Sequence, residues 1–134
     1  MDMGMDMENK SQTPCRPLPV LLDLSDKHVC VIGDAPEAGR YARLLAACTR
    51  HLSVLCEEGS EKLQTMADEG RLSLLKQPYR REALYGMDVV FCVSGSEALI
   101  CDVSAICRTM GITLYTAGRP DKSDFMLDMD LLTD

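Results

Sequence analysis

Apolar and polar positions alternate in blocks along this chain, short apolar runs giving way to stretches with helical spacing. The first compact run is His28–Ile32, entered through a turn at Ser25-Asp26-Lys27 and ended by Gly33. Pro36 suits the first turn of a helix, where its missing N–H costs nothing. That helix is expected to run to about Thr49, with Ala38, Ala42, Leu45 and Ala46 near one face. Leu52–Cys56 reads as a second strand. Ser60 then caps a helix that ends before Gly70. Leu72–Leu75 is a third strand, and Arg80–Leu84 a short turn or helix. Met87–Val93 is apolar almost throughout, as in a parallel strand covered on both faces. Glu97–Met110 is helical, Gly111 stops it, and Ile112–Thr116 is a fifth strand.

Strands that alternate with helices predict an α/β fold: a Rossmann-like, open, mainly parallel sheet with helices on both faces. Residues 18–134 are expected to form this single domain. Pro19–Leu24 is expected to enter it as a short strand or extended segment, and Asp124–Asp134 to end it as a final strand or a frayed end. Residues 1–17 lack apolar periodicity, carry Pro14 and Pro17, and read as a disordered tail.

Composition narrows the function. A net charge of −7 argues against a nucleic-acid or anionic-membrane surface, which wants a basic face. No stretch approaches a membrane span and the N-terminus lacks an apolar signal core, so a cytoplasmic location is expected. The seven cysteines include no C-x-x-C pair. They read as buried small hydrophobes in a reducing compartment, with no metal role and with Cys15 as the accessible thiol.

The chemistry lies in the first strand–helix–strand unit. Gly33 ends a strand where a dinucleotide-binding turn would place its first glycine, and Ala38 takes the place of the last one; the middle glycine position is Ala35. The backbone turns sharply at Gly33, which would let a diphosphate sit on the N-terminus of the following helix, where free N–H groups favour anions. About two dozen residues after Gly33, Glu57 and Glu58 close the second strand. A carboxylate there accepts hydrogen bonds from a ribose and repels a 2′-phosphate, which favours NAD. Ser94, in the Ser94-Gly95-Ser96 loop after the fourth strand, is a further cofactor-side candidate. Arg40 reads as a surface helix residue or a phosphate ligand, His28 and His51 as strand-entry surface residues, and Tyr79 and Tyr115 as packing residues.

The order of these features resembles the precorrin-2 dehydrogenase domain of siroheme synthases. The matching stretches are Leu18-Pro-Val-Leu-Leu-Asp-Leu, Val29-Cys-Val-Ile-Gly33 and Ala38-Gly-Arg40-Tyr-Ala42-Arg-Leu-Leu. Leu52-Ser-Val-Leu, Glu69-Gly-Arg-Leu-Ser-Leu and Leu84-Tyr-Gly-Met-Asp-Val-Val-Phe continue the series. Gly111-Ile-Thr-Leu-Tyr-Thr and Pro120-Asp-Lys-Ser-Asp124-Phe125 complete it, so the likeness covers residues from about 18 to 127.

The resemblance implies an NAD-dependent oxidation of precorrin-2 to sirohydrochlorin, with the cofactor turn at Gly33 to Glu37 and the ribose at Glu57 and Glu58. The alternative is a catalytically eroded NAD-binding accessory or regulatory module. Against the family pattern, Gly-Gly-Gly is Gly33-Asp34-Ala35, and Ala-Thr-Asp-Asp is Val93-Ser94-Gly95-Ser96. An asparagine is replaced by Ile100, and the candidate acid/base aspartate by Gly118. Asp121 and Asp124 are the nearby candidates for its role. The family's dimerisation region and helical domain are missing after Asp134, so a homodimer or a partner enzyme of the pathway is expected to complete a tetrapyrrole pocket.

Overall fold

The computed structural model describes residues 15–34 and 37–128. Strands β1 (His28–Gly33), β2 (His51–Leu55), β3 (Ser73–Leu75), β4 (Val89–Val93) and β5 (Thr113–Thr116) alternate with helices α1 (Glu37–Ala46), α2 (Glu61–Asp68) and α3 (Glu97–Met110). All strand pairings are parallel, in the order β3-β2-β1-β4-β5. The Rossmann-like architecture is therefore as the pattern predicts. Among the described residues, no helix is long and apolar enough to cross a membrane.

Strand alternation divides the interior into two layers. Val29, Val31, Val54, Phe91 and Val93 face α1 and α2, joining Tyr41, Leu45, Leu63 and Met66. Cys30, Ile32, Val90, Cys92 and Leu114 face the other way, against Ile100, Val103 and Cys107 of α3. Tyr41, Phe91, Tyr115 and Phe125 form an aromatic cluster in the first layer, with the Tyr115 and Phe125 centroids 5.6 Å apart.

Caps fix the helix ends. The Ser60 hydroxyl accepts from Leu63 N at 3.2 Å and the Ser96 hydroxyl from Leu99 N at 3.3 Å. Gly111 closes α3 in the left-handed region at φ 72°. Helix α1 stops at Ala46, three residues before the predicted end. There the Thr49 hydroxyl donates to Lys27 O (2.7 Å) and accepts from His51 N (3.0 Å), drawing the chain into a tight turn onto β2. Strands β4 and β5 begin one or two residues late because turn bonds hold their approaches: Met87 N donates to Leu84 O, and Ile112 N to Cys107 O.

Residues 18–22 belong to no regular element and pair with no strand, and their apolar side chains face outward: Leu18 is 82% and Leu21 102% exposed, while Leu24 is buried. The described part of 124–134 is not a strand either. Asp124 N donates to Leu114 O (2.7 Å), and its carboxylate accepts from Leu114 N (2.8 Å). The Ser123 hydroxyl accepts from Thr116 N (2.8 Å), so the outer edge of β5 is closed by side chains. Replacing Asp124 with Ala leaves the Leu114 N–H without its acceptor. It is expected to lower unfolding free energy by about 1–3 kcal/mol in urea titrations, whereas Asp128→Ala on the same segment leaves Leu114 N bonded. The tail prediction for 1–17 falls mostly outside the described residues.

The thiol expectation needs correcting. Cys30, Cys56, Cys92 and Cys107 are buried, and burial pushes the Cys30 and Cys92 thiols up to about 12. Cys48, in the turn after α1, and Cys101, on α3, are exposed as well as Cys15. Cys15 is therefore one of three accessible thiols.

Candidate dinucleotide-binding site

The chain reverses direction across the sheet between β1 and β4, which pair as Ile32↔Cys92 and Gly33↔Val93. Beyond such a switch point the two following loops diverge and leave a crevice at the carboxyl ends of the strands. The Gly33 turn forms one wall of it, and the Ser94-Gly95-Ser96 loop leading to α3 forms the other.

Gly33 is there for space. It does not have a positive φ. A Cβ on it would overlap the Val93 carbonyl oxygen, and would lie 2.7 Å from Val93 C and 2.9 Å from Val93 Cβ. The next residue ties the turn together. Asp34 N donates to Val93 O (3.2 Å), and Asp34 O accepts from Ala38 N (3.0 Å), so α1 starts directly off the strand end. Ala35 and Pro36 lie outside the described residues.

Register brings the other predicted cofactor residues to the same edge. Ile32 aligns with Leu55, so the turn at Gly33 and the turn at Glu57-Glu58 follow neighbouring strands. Glu57 and Glu58 are exposed there, just past β2, as are Asp34 and Glu37. Ser94 is half-buried, and its hydroxyl accepts from Ser96 N (3.1 Å). The rim is thus open and acidic. Carboxylates suit sugar hydroxyls; Asp34 beside a diphosphate does not, and its charge weakens the attraction of the α1 N-terminus. A cavity of about 770 Å³ lies elsewhere, between α1 and α2.

The two acid/base candidates stand apart in their surroundings. Asp121 forms a bidentate pair with Arg119 (Nε–Oδ1 3.0 Å, Nη2–Oδ2 2.9 Å), and that pairing holds its carboxyl below the usual carboxylate value. The same guanidinium reaches Glu97 at the start of α3 (2.7 Å) and lowers it likewise. Asp124 binds the Leu114 backbone. Position 118 is a glycine at φ 75°.

Other side chains that sequence reasoning weighed are placed elsewhere. His28 and His51 stack with centroids 4.6 Å apart at the amino ends of β1 and β2, opposite the crevice. Tyr79 donates to Asp102 (2.6 Å), which also holds Arg81 (2.7 Å), latching the loop before β4 to α3. Sequence reasoning missed Arg119, which joins the loop after β5 to the crevice end of α3. Its only signal was an arginine between Gly118 and Pro120.

A family model described as "Putative NAD(P)-binding" matches residues 20–128. The chain belongs to this family. Among curated proteins it is similar to the siroheme synthase of Thiobacillus denitrificans, 28% identical over 110 residues that cover 82% of this chain and 23% of that protein. It is also similar to the siroheme synthase of a Psychrobacter species, 24% identical over 108 residues, 81% of this chain and 22% of that protein. The chain thus spans less than a quarter of the length of these relatives. A solved structure titled "SirC, precorrin-2 dehydrogenase" superposes with a TM-score of 0.65 at 16% identity, covering 82% of this chain and 54% of that one. At that identity the match speaks for the shared fold.

Proposed function

We propose that this NAD(P)-binding domain binds NAD at the β1/β4 crevice and serves sirohaem biosynthesis as a precorrin-2 dehydrogenase-type module. The observation that carries the reading is the pairing of β1 with both β2 and β4. It sets the Gly33 turn, the Glu57-Glu58 turn and the Ser94 loop along one edge of the sheet. The donor set fits a dinucleotide with a free 2′-hydroxyl: Glu57 and Glu58 are exposed acceptors, and they oppose a 2′-phosphate.

The chain's own residues have distinct tasks in this reading. Gly33 lets β1 close against Val93 and start α1 at the strand end, so that the positive end of the α1 dipole faces the diphosphate. Glu57 orients the adenosine ribose, and Ser94 lies on the nicotinamide side. When bound, NAD supplies the hydride acceptor for oxidation of precorrin-2 to sirohydrochlorin. A second copy of the chain or a partner enzyme completes the tetrapyrrole pocket.

A second reading, a non-catalytic accessory or regulatory module, is favoured by one local fact. The two candidate carboxylates are occupied, Asp121 by Arg119 and Asp124 by the Leu114 backbone.

Calorimetry with NAD tests the shared premise. A saturable isotherm is expected, and Glu57→Ala is expected to weaken it about tenfold, the loss of roughly one charge-assisted hydrogen bond. A flat titration at millimolar NAD overturns both readings. Anaerobic incubation with precorrin-2 and NAD, followed in the visible spectrum, then separates them: turnover supports the dehydrogenase, and binding without turnover the accessory module.

A further inference from the structure

We propose that the groove between α1 and α2 docks an extended acidic segment of a partner polypeptide. The groove is the cavity of about 770 Å³ noted above, on the outer surface of the domain. Its floor is apolar, formed where Leu63 and Met66 cover the sheet. Its depth depends on Gly39: a Cβ there would meet nothing within 4 Å, so the third residue of α1 is open space where most helices carry a side chain. Glycine inside a helix costs roughly 0.5–1 kcal/mol relative to alanine, and no packing contact at this position accounts for it.

Charge identifies the occupant. The chain carries −7 overall, yet Arg40, Arg43, Lys62 and Arg71 all line this one groove, against Glu61 and Glu69. A locally cationic groove on an acidic protein repels other copies of the chain least at this point and attracts anionic partners to it. The cations are spread rather than convergent. Arg40 and Arg43 stand on α1, Lys62 at the start of α2 and Arg71 beyond its end. A single carboxylate pairs with one or two of these side chains, whereas an extended chain with repeated acidic residues reaches both helices.

Two of the four cations pair loosely with neighbouring carboxylates. Arg40 lies 3.8 Å from Glu37, and Arg71 lies 3.8 Å from Glu69, with the side chains about half exposed. Exposed pairs of that kind contribute little, so an incoming carboxylate can displace them. The space left open at Gly39 gives the occupant a place for one aliphatic side chain between its acidic residues, in the manner of groove-bound peptides.

The test is fluorescence anisotropy with the full chain and a labelled peptide of about a dozen residues, Glu and Asp alternating with Leu. Saturable binding is expected, weakening about tenfold between low and physiological salt because the contacts are exposed charges. The double variant Arg40→Glu/Lys62→Glu is expected to weaken it at least tenfold again. Gly39→Met, which changes no charge and fills the groove, is expected to do the same while thermal melting confirms a folded chain. Arg108→Glu, on α3 across the sheet, is expected to leave binding unchanged. The proposal is overturned by absence of saturation, or by equal binding to the double or Gly39→Met variant. It is also overturned by equally tight binding of tripolyphosphate or a single-stranded oligonucleotide, which would mark a general anion surface.

Discussion

Gly33→Ala is expected to destabilise the domain by about 3 kcal/mol, lowering its melting temperature by about 10 °C for a chain of this size. The added methyl cannot be absorbed by a side-chain rotation, because the atoms it meets belong to the Val93 backbone: its carbonyl oxygen and the carbon 2.7 Å away. Relief requires β1 and β4 to separate at their carboxyl ends, where Gly33 and Val93 are in register and Asp34 N bonds to Val93 O. These are the central strands, so the damage spreads to both layers of the core. Gly39→Ala is the matched control. It adds the same methyl where nothing lies within 4 Å, and helix propensity favours it by up to about 1 kcal/mol. Thermal and urea unfolding of the two variants checks the pair. Equal stability of Gly33→Ala and the native chain would mean that the two backbones do not approach as closely as described. The same separation opens the crevice, so NAD binding is expected to fall with stability in Gly33→Ala and to persist in Gly39→Ala.

The pair also shows what kind of information a sequence holds. Both residues are glycines within one strand–turn–helix unit, and pattern alone distinguishes them only by position. The turn at Gly33 was legible because an apolar run stops there and helical spacing begins. The reason for glycine was not legible, since it lies in a strand more than fifty residues away. Caps and buried faces were readable for the same reason that Gly33 was: Ser60 and Gly111 act within a few residues of themselves, and the continuous apolar run of β4 needs covering on both sides. Thr49 shortened α1 through a bond to Lys27, and Asp124 closed the β5 edge through Leu114; neither partner is near in sequence. The apolar residues at 18–22 show the converse case. Their pattern looks like a buried strand, yet Leu18, Val20 and Leu21 are exposed, because hydrophobicity reports a need for cover and not what provides it.

At the site, the same division separates position from chemistry. The placement of Glu57, Glu58 and Ser94 along one sheet edge follows from strand order, which alternation of elements predicts. The state of Asp121 does not, because it depends on the guanidinium of Arg119 and on the reach of that side chain to Glu97. A carboxylate held ionised by a bidentate arginine is a poor proton donor near neutral pH, and its oxygens are already engaged as acceptors. Proton transfer in the dehydrogenase reading therefore has no free carboxylate among these two.

Restoring one is the sharper experiment. Gly118→Asp is expected to raise precorrin-2 turnover 10²–10⁴-fold, the usual contribution of a positioned general acid or base, and to leave NAD affinity unchanged. The backbone admits the change at modest cost. Position 118 has φ 75°, where aspartate is among the better-tolerated residues, and a Cβ there meets nothing within 4 Å. The loop around it is held independently, by Thr116 Oγ1 donating to Lys122 O (2.9 Å) and Ser123 Oγ donating to Arg119 O (2.7 Å). A stability loss of about 1–2 kcal/mol is expected from the left-handed backbone alone, and Gly118→Asn reproduces that loss without supplying a titrating group. Anaerobic single-turnover spectra of the two variants separate chemistry from folding. Faster turnover in Gly118→Asp only, with a pH profile gaining a limb that Gly118→Asn lacks, supports an active site missing one proton-transfer group. Equal and negligible turnover in both variants, with NAD still bound, overturns catalysis at this crevice and leaves the accessory module as the reading that fits Arg119, Asp121 and Asp124 as they stand.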